Sequence, residues 1–396
     1  MKTVAWLGIS KAGLLFLTIF FTTSTQGRAQ DSPGIVEFAQ RTAHAVTVPA
    51  ANGVELQARF NGQGPIDVIF DTGSANIMSA SVAKRLGLTV GGRGAIEGMG
   101  GSVPAKGAVV DKVEIGGVTL HHQVFAVIAP PAGQDEDFAF IGDQWLQHLP
   151  IKIDFDRQQI TFYNPQYFRD SGKGSSISVH FEGNSVIGEA SVDGIPGLFE
   201  FDTGSIHSLL LNSPFVIQHD LVDRYSATVE GYAGEGFGGP DTGFYTRVNT
   251  LQLANLTVKR PVTVLLEDKQ GAGASRLAGN IGLRILKRFT LIFDCPHGKL
   301  YLEKSASYGK PEIFNRAGLV VDPSPDDARI RMVFPGSPAA KAGLEQDDVI
   351  KLIDGVPPTD DSLESAFEQP IGTSIRLTVL HSGVARTVSF TLQDVL

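Results

Sequence analysis

Cysteine is nearly missing: the 396 residues contain one, Cys295. A single thiol excludes any intrachain disulfide, so stability has to come from packing. Clustered cations are missing as well. Lys and Arg number 33 against 42 Asp and Glu, a formal net charge of −9, which argues against nucleic acid as a main partner because phosphate binding needs grouped positive charge. Long apolar runs are scarce. The one near the N-terminus, "AGLLFLTIFF" (Ala12 to Phe21), is about half the ~20 residues that a membrane-spanning helix requires. Lys2 and Lys11 precede it and Gly27-Arg28-Ala29 follows a polar stretch, the anatomy of a secretory signal over residues 1–29. The expectation is an exported chain, periplasmic or secreted, with no stable membrane anchor.

What the sequence has in excess is self-similarity. Phe-Asp-Thr-Gly-Ser occurs twice, in "VIFDTGSANI" (Val68 to Ile77) and "FEFDTGSIHS" (Phe199 to Ser208), with Asp71 and Asp202 131 residues apart. Matching features surround both copies in the same order. Before each lies a strand-like run ending in a hairpin signal, Asn61-Gly62 or Asp193-Gly194, dipeptides that tolerate the positive φ of a type I′ turn. After each comes a glycine-rich segment opening Glu-Gly, "EGMGGS" from Glu97 and "EGYAGEGFGG" from Glu230. "EIGGVTLHHQVFAVI" from Glu114 then aligns with "QLANLTVKRPVTVLL" from Gln252, and "FIGDQWL" from Phe140 with "NIGLRIL" from Asn280. The spacing grows from 131 residues (71 to 202) to 140 (140 to 280) without the order breaking, as small loop insertions in a second copy would produce. Two β-rich lobes are expected, at 45–165 and 178–304, joined through Asp170 to Ser176.

The residues before each Asp are apolar, so each carboxylate sits at the end of a buried strand. Gly allows a tight turn with close backbone approach, and the Ser hydroxyl can donate to the carboxylate. Two such turns facing each other about a pseudo-twofold axis bring two carboxyl groups together where both cannot ionise at once. One keeps a proton, and the pair can do general acid and general base work in one pH range.

In these motifs the chain resembles the aspartic proteases, in particular a fused retropepsin-like type with both lobes on one chain. The resemblance implies a catalytic pair at Asp71 and Asp202. It also implies a cross-lobe grip through Thr72 and Thr203, with support from Gly73, Ser74, Gly204 and Ser205 and flap candidates at Met99, Gly100 and Tyr232. Which flap closes stays open. Asn280 departs from the family pattern, which has an apolar residue there. A bell-shaped pH profile on the acid side of neutral is expected, with no cofactor and no metal.

From Ile313 the pattern changes. "GLVVDP", "PGSPAAKAGLEQDDVIKLIDG" and the alternating "SIRLTVL" and "ARTVSFTL" resemble bacterial PDZ domains over 313–396. This implies a carboxylate-binding loop at Gly318, Leu319 and Val320 that captures a peptide C-terminus. The expected fold is therefore mainly β: two similar aspartic-protease β-barrel-like lobes with pseudo-twofold symmetry, followed by a PDZ-like α+β domain. The function implied is an endopeptidase acting on peptides or unfolded proteins, with protein C-termini or segments as partners of the tail. The alternative is a catalytically silent peptide-binding scaffold. Because the lobes hold every group the chemistry needs, the tail is expected to be dispensable for cutting short peptides. His121-His122 is no metal pair, since neighbours on a strand point to opposite faces. Asp154 and Asp294 fit structural hydrogen bonding, and His207 with Ser208 forms no hydrolase triad.

Overall fold

The computed structural model describes residues 35–40, 43–50, 53–98, 101–129, 137–226, 229–236, 239–267, 272–324 and 327–396. The expected signal segment and the flap candidates Met99 and Gly100 lie outside them. No helix among the described residues is long and apolar enough to cross a membrane.

The fold is mainly β, and the two lobes repeat one plan. In the first, Glu55–Phe60 and Gln63–Phe70 pair as a hairpin across Asn61-Gly62. In the second, Ser185–Val192 and Ile195–Phe201 pair across Asp193-Gly194. All four turn residues have positive φ, between 47° and 82°, so both dipeptides adopt the type I′ geometry that matches strand twist. Each hairpin delivers its chain to the Asp-Thr-Gly-Ser loop. A short strand follows (Ile77–Ser79; Leu209–Leu211), then a helix (Ala80–Arg85; Ser213–Gln218) and a long hairpin (Val90–Gly98 with Gly101–Ile115; Val229–Gly236 with Gly239–Arg247).

A three-residue strand (Ala139–Ile141; Gly279–Ile281) then pairs parallel with the strand that precedes the Asp. A parallel neighbour at this point holds the end of the Asp strand from both sides, with Asp71 N–H donating to Ile141 O at 2.8 Å and Asp202 N–H to Ile281 O at 3.1 Å.

The lobes share a sheet. Its strands run in the order Ala45–Pro49, Gln159–Tyr163, Ile151–Asp154, Phe289–Asp294, Lys299–Lys304, Ser175–Glu182. At its centre Ile151–Asp154 from one lobe pairs antiparallel with Phe289–Asp294 from the other, which is where a twofold relation between the lobes would pass. The inner faces of this sheet carry Ile151, Ile153, Phe289, Leu291 and Phe293, all without exposed surface. One apolar cluster therefore runs continuously through both lobes. Ser175 and Ser176, expected in the joint between lobes, are already in a strand, paired with Leu302 and Tyr301.

Residues after Phe314 build a separate five-stranded antiparallel sheet in the order Leu319–Ser324, Asp327–Val333, Val349–Ile353, Ser374–His381, Val384–Thr391. Helices Pro338–Lys341 and Asp360–Phe367 accompany it. The second helix starts at a reciprocal cap: Ser362 N–H donates to Thr359 Oγ1 at 3.2 Å and Thr359 N–H to Ser362 Oγ at 2.7 Å, which satisfies two otherwise open donors. This module has its own core, including Leu319, Ile330, Ile350, Phe367, Leu377 and Phe390. It is not free of the lobes. Met332 and Phe334 pack with Leu210, Ala233, Tyr245, Val264 and Leu266 of the second lobe, and the Phe334 and Tyr245 rings meet edge to face at 5.0 Å.

Candidate active site

Asp71 and Asp202 end their strands at the junction of the lobes, and neither has exposed surface. The threonines beside them lock the junction reciprocally. Thr72 N–H donates to Thr203 Oγ1 at 3.1 Å and Thr203 N–H to Thr72 Oγ1 at 3.0 Å. Each hydroxyl then donates onward across the lobes, Thr72 to Phe201 O at 2.7 Å and Thr203 to Phe70 O at 2.8 Å. Four hydrogen bonds between buried groups fix the two loops as one unit, since breaking any would leave a buried donor or acceptor unsatisfied.

The glycines are required by the closeness of approach. A Cβ on Gly73 would stand 2.6 Å from Asp202 Cγ, and one on Gly204 would overlap the Asp71 carboxyl. Each loop thus passes directly over the opposite aspartate, and only hydrogen fits.

The two carboxyls are unequally supported. Asp202 Oδ1 accepts from Gly204 N–H at 2.7 Å and Ser205 N–H at 3.2 Å, and Asp202 Oδ2 accepts from Asn280 Nδ2 at 2.9 Å. Asp71 Oδ1 accepts only from Gly73 N–H at 2.9 Å, and its Oδ2 has no hydrogen-bond partner among the described residues outside the pair itself. Burial raises both. For Asp202 the donors oppose it and hold the rise to about 6. For Asp71, burial and then the charge of Asp202 push the carboxyl well above its usual range. The donors favour the ionised form at Asp202, so the proton shared by the pair resides on Asp71. With Asp202 ionising at about 6, the singly protonated state begins on the acid side of neutral.

The serines do not act as expected. Ser74 Oγ donates to Ala75 O at 2.8 Å rather than to Asp71. Ser205 Oγ has no hydrogen-bond partner among the described residues, and its backbone N–H serves Asp202 instead. The side chains turn away because the tight loop already aims its amides at the carboxylate.

Tyr232 is held from the tail side. It packs in the cluster formed with Met332 and Phe334, and its carbonyl accepts from Tyr245 Oη at 2.9 Å. A Cβ on Gly231 would overlap the Met332 side chain, so the second long hairpin is pinned by the tail. In the tail, the amides of Ala317 and Gly318 donate to Asn315 Oδ1 at 3.0 and 3.1 Å, and Asn315 Nδ2 donates to Leu319 O at 2.7 Å. Leu319 is buried in the module's core and Val320 packs in the cluster shared with the second lobe. The loop expected to capture a peptide carboxylate thus holds its own Asn315 at Gly318.

His121 is buried and meets Glu37 at 3.1 Å, while His122 faces outward. Asp154 accepts from Arg157, and Asp294 pairs with His297 at 2.7 Å. Ser208 donates to Glu312, not to His207. Burial pushes the Cys295 thiol up to about 12, which leaves it unreactive.

Two buried carboxyls beside the site were not singled out from the sequence. Asp143, directly after Gly142, accepts from Asn184 Nδ2 of the other lobe at 2.7 Å. Glu200 lies in the apolar run just before Asp202 and accepts from Asn280 Nδ2 at 2.9 Å. A charged residue inside "FEFDTGS" was the visible signal for the second.

Two lobes each bring an Asp-Thr-Gly-Ser loop to one buried junction. The family model for aspartyl proteases matches residues 56–142, from the first hairpin through Asp71 to Gly142. Among solved structures, similar chains include Basic 7S globulin from soybean, at 12% identity over 67% of this chain and 97% of that one, with a TM-score of 0.36. Another is the aspartic proteinase from Irpex lacteus, at 13% identity over 67% and 99%, with a TM-score of 0.44. No curated protein sequence matches the chain.

Proposed function

We propose that this chain is an exported aspartic endopeptidase. The observation that supports this most is the pair of aspartates held face to face by the reciprocal Thr72–Thr203 bonds, with unequal donors that divide one proton between them. Ionised Asp202 takes a proton from a water while Asp71 gives its own to the oxygen of the scissile carbonyl, so the water oxygen adds to carbon and a neutral tetrahedral diol forms. Asp202 then passes its proton to the leaving nitrogen as the C–N bond breaks, and Asp71 regains a proton from the collapsing diol. Both carboxyls are fully covered, so substrate enters by movement of a flap. The first long hairpin, Val90–Ile115, takes that role because the second is pinned by the tail. The tail acts as a PDZ-like module that receives protein segments along Leu319–Ser324, which among the described residues has a sheet neighbour on one side only.

The test is hydrolysis of an unstructured protein by the mature chain across pH. Asp71→Asn and Asp202→Asn should each lower turnover by at least about 10²–10⁴-fold, the range of a lost acid or base. Activity of the wild type should rise with pH through about 6, where Asp202 loses its proton. An Asp202→Asn protein that folds and cuts at the wild-type rate would rule the proposal out.

A further inference from the structure

Glu200 is a carboxyl group that two-aspartate chemistry does not use. It has no exposed surface, and it stands two residues before Asp202 in the strand Ile195–Phe201. In the first lobe the matching position is Ile69, beside Phe140 in parallel register. In the second lobe Glu200 lies beside Asn280 in the same register. An apolar pair in one lobe has become a polar pair in the other. Neither polar residue alone would be tolerated well, because each would leave the other's buried group without its partner. The two N–H bonds of Asn280 Nδ2 are divided between the carboxyls, one to Glu200 Oε2 and one to Asp202 Oδ2, both at 2.9 Å.

We infer that Glu200 is a positioning residue for Asp202: a third buried carboxyl that acts on Asp202 through the Asn280 amide that both of them accept from. Its consequence for turnover rests on the proteolytic reading above, but the linkage itself does not. While Glu200 is neutral, each carboxyl takes one N–H of Asn280 and no charge on Glu200 opposes the ionised form of Asp202. Once ionised, Glu200 sets a second negative charge next to Asp202, on the far side of the amide that both share. The titratable groups that face Glu200 are Asp202 and, from the opposing loop, Asp71. The flanking strands contribute the Ser185 hydroxyl and the Asn280 amide, which do not titrate. Burial and then the Asp202 charge push Glu200 up to about 8, so the proton is kept through neutral pH and lost in mildly alkaline solution.

The experiment is a carboxyl ¹³C NMR titration of the mature full-length chain, run on the wild type, Glu200→Gln and Asn280→Leu, with peptide hydrolysis measured over the same pH range. Gln keeps the shape and the acceptor for Asn280 but cannot ionise. The wild type should show a carboxyl titrating near pH 8 that is missing from Glu200→Gln. The carboxyl identified as Asp202, by its loss in Asp202→Asn, should titrate at higher pH in Asn280→Leu. In hydrolysis, the kcat/KM profile of the wild type should carry an inflection at the Glu200 ionisation that Glu200→Gln lacks. If Asn280→Leu does not fold, Glu200→Gln decides alone. Titration curves and pH profile that overlay those of the wild type would make Glu200 a mere filler and overturn the inference. A wild type that shows the Glu200 titration and cuts no peptide would refute the proteolytic reading and leave the linkage standing.

Discussion

Asp143 shows what burial does to a carboxyl that has donors but no cation. Desolvation raises it to about 6 against the pull of Asn184 and of the Gln144 amide. A carboxyl whose folded value lies above its unfolded one binds its proton more tightly in the native state. Its contribution to stability is therefore fully present below the unfolded value near 4 and is lost as pH rises through about 6. The difference amounts to about 3 kcal/mol at neutral pH, at about 1.4 kcal/mol per unit. Asp143→Asn keeps an acceptor for Asn184 and removes the charge. It should unfold at a higher denaturant concentration than the wild type at pH 7.5, with the advantage gone at pH 4. Urea melts at the two pH values check this, and an equal effect at both would show that charge is not the cause. Glu200 follows the same physics, but its acceptor role is tied to Asp202 and its proton is coupled to the site.

At the scale of elements, the two long hairpins differ although the repeat makes them equivalent. Val229–Gly236 and Gly239–Arg247 are covered by Met332 and Phe334 of the tail, whereas no described residue of the tail belongs to the cluster that includes Ile96 and Ala105 of the first hairpin. Phe334 has no exposed surface and its ring touches those of Tyr245 and Phe314. Phe334→Ala should cost about 3–5 kcal/mol, the usual range for a buried ring. The loss should be local: amide exchange should quicken in Gly239–Arg247 and stay unchanged in Gly101–Ile115. Hydrogen exchange read by mass spectrometry separates the two, and equal acceleration in both hairpins would show that the tail does not single out the second.

For the whole molecule, the tail and the second lobe form one packing unit. Arg284, two residues after Gly282 of the site, reaches Glu364 at 2.5 Å and Glu368 at 3.1 Å on the tail helix. These pairs are partly exposed and contribute little on their own, whereas the apolar cluster shared by the tail and the second lobe is buried. Removing 313–396 would uncover Leu210, Val264 and Leu266, all now 1% exposed or less. The truncated chain should therefore unfold at a lower temperature and expose apolar surface to a dye such as ANS, a cost in stability separate from the expected dispensability of the tail for cutting short peptides. A truncated chain with the wild-type midpoint would show that the lobes close without it.

The sequence by itself determined the repeat, the β class and the meeting of Asp71 with Asp202, because these depend on local signals: period-two strands, Asn-Gly and Asp-Gly turns, and a loop in which only glycine fits. It also exposed Asn280 as a departure without supplying the reason. That reason is a contact 80 residues away in the chain, Asn280 to Glu200; each segment shows an odd polar residue, but neither read alone shows that the two pair across a sheet. The direction of the serine hydroxyls, the proton's place on Asp71 and the pinning of Tyr232 by the tail were likewise decided only by tertiary structure. Each depends on which donors and which apolar surfaces converge in a buried space, and burial is a property of the folded chain, where removing water lets a few N–H donors set which carboxyl is charged.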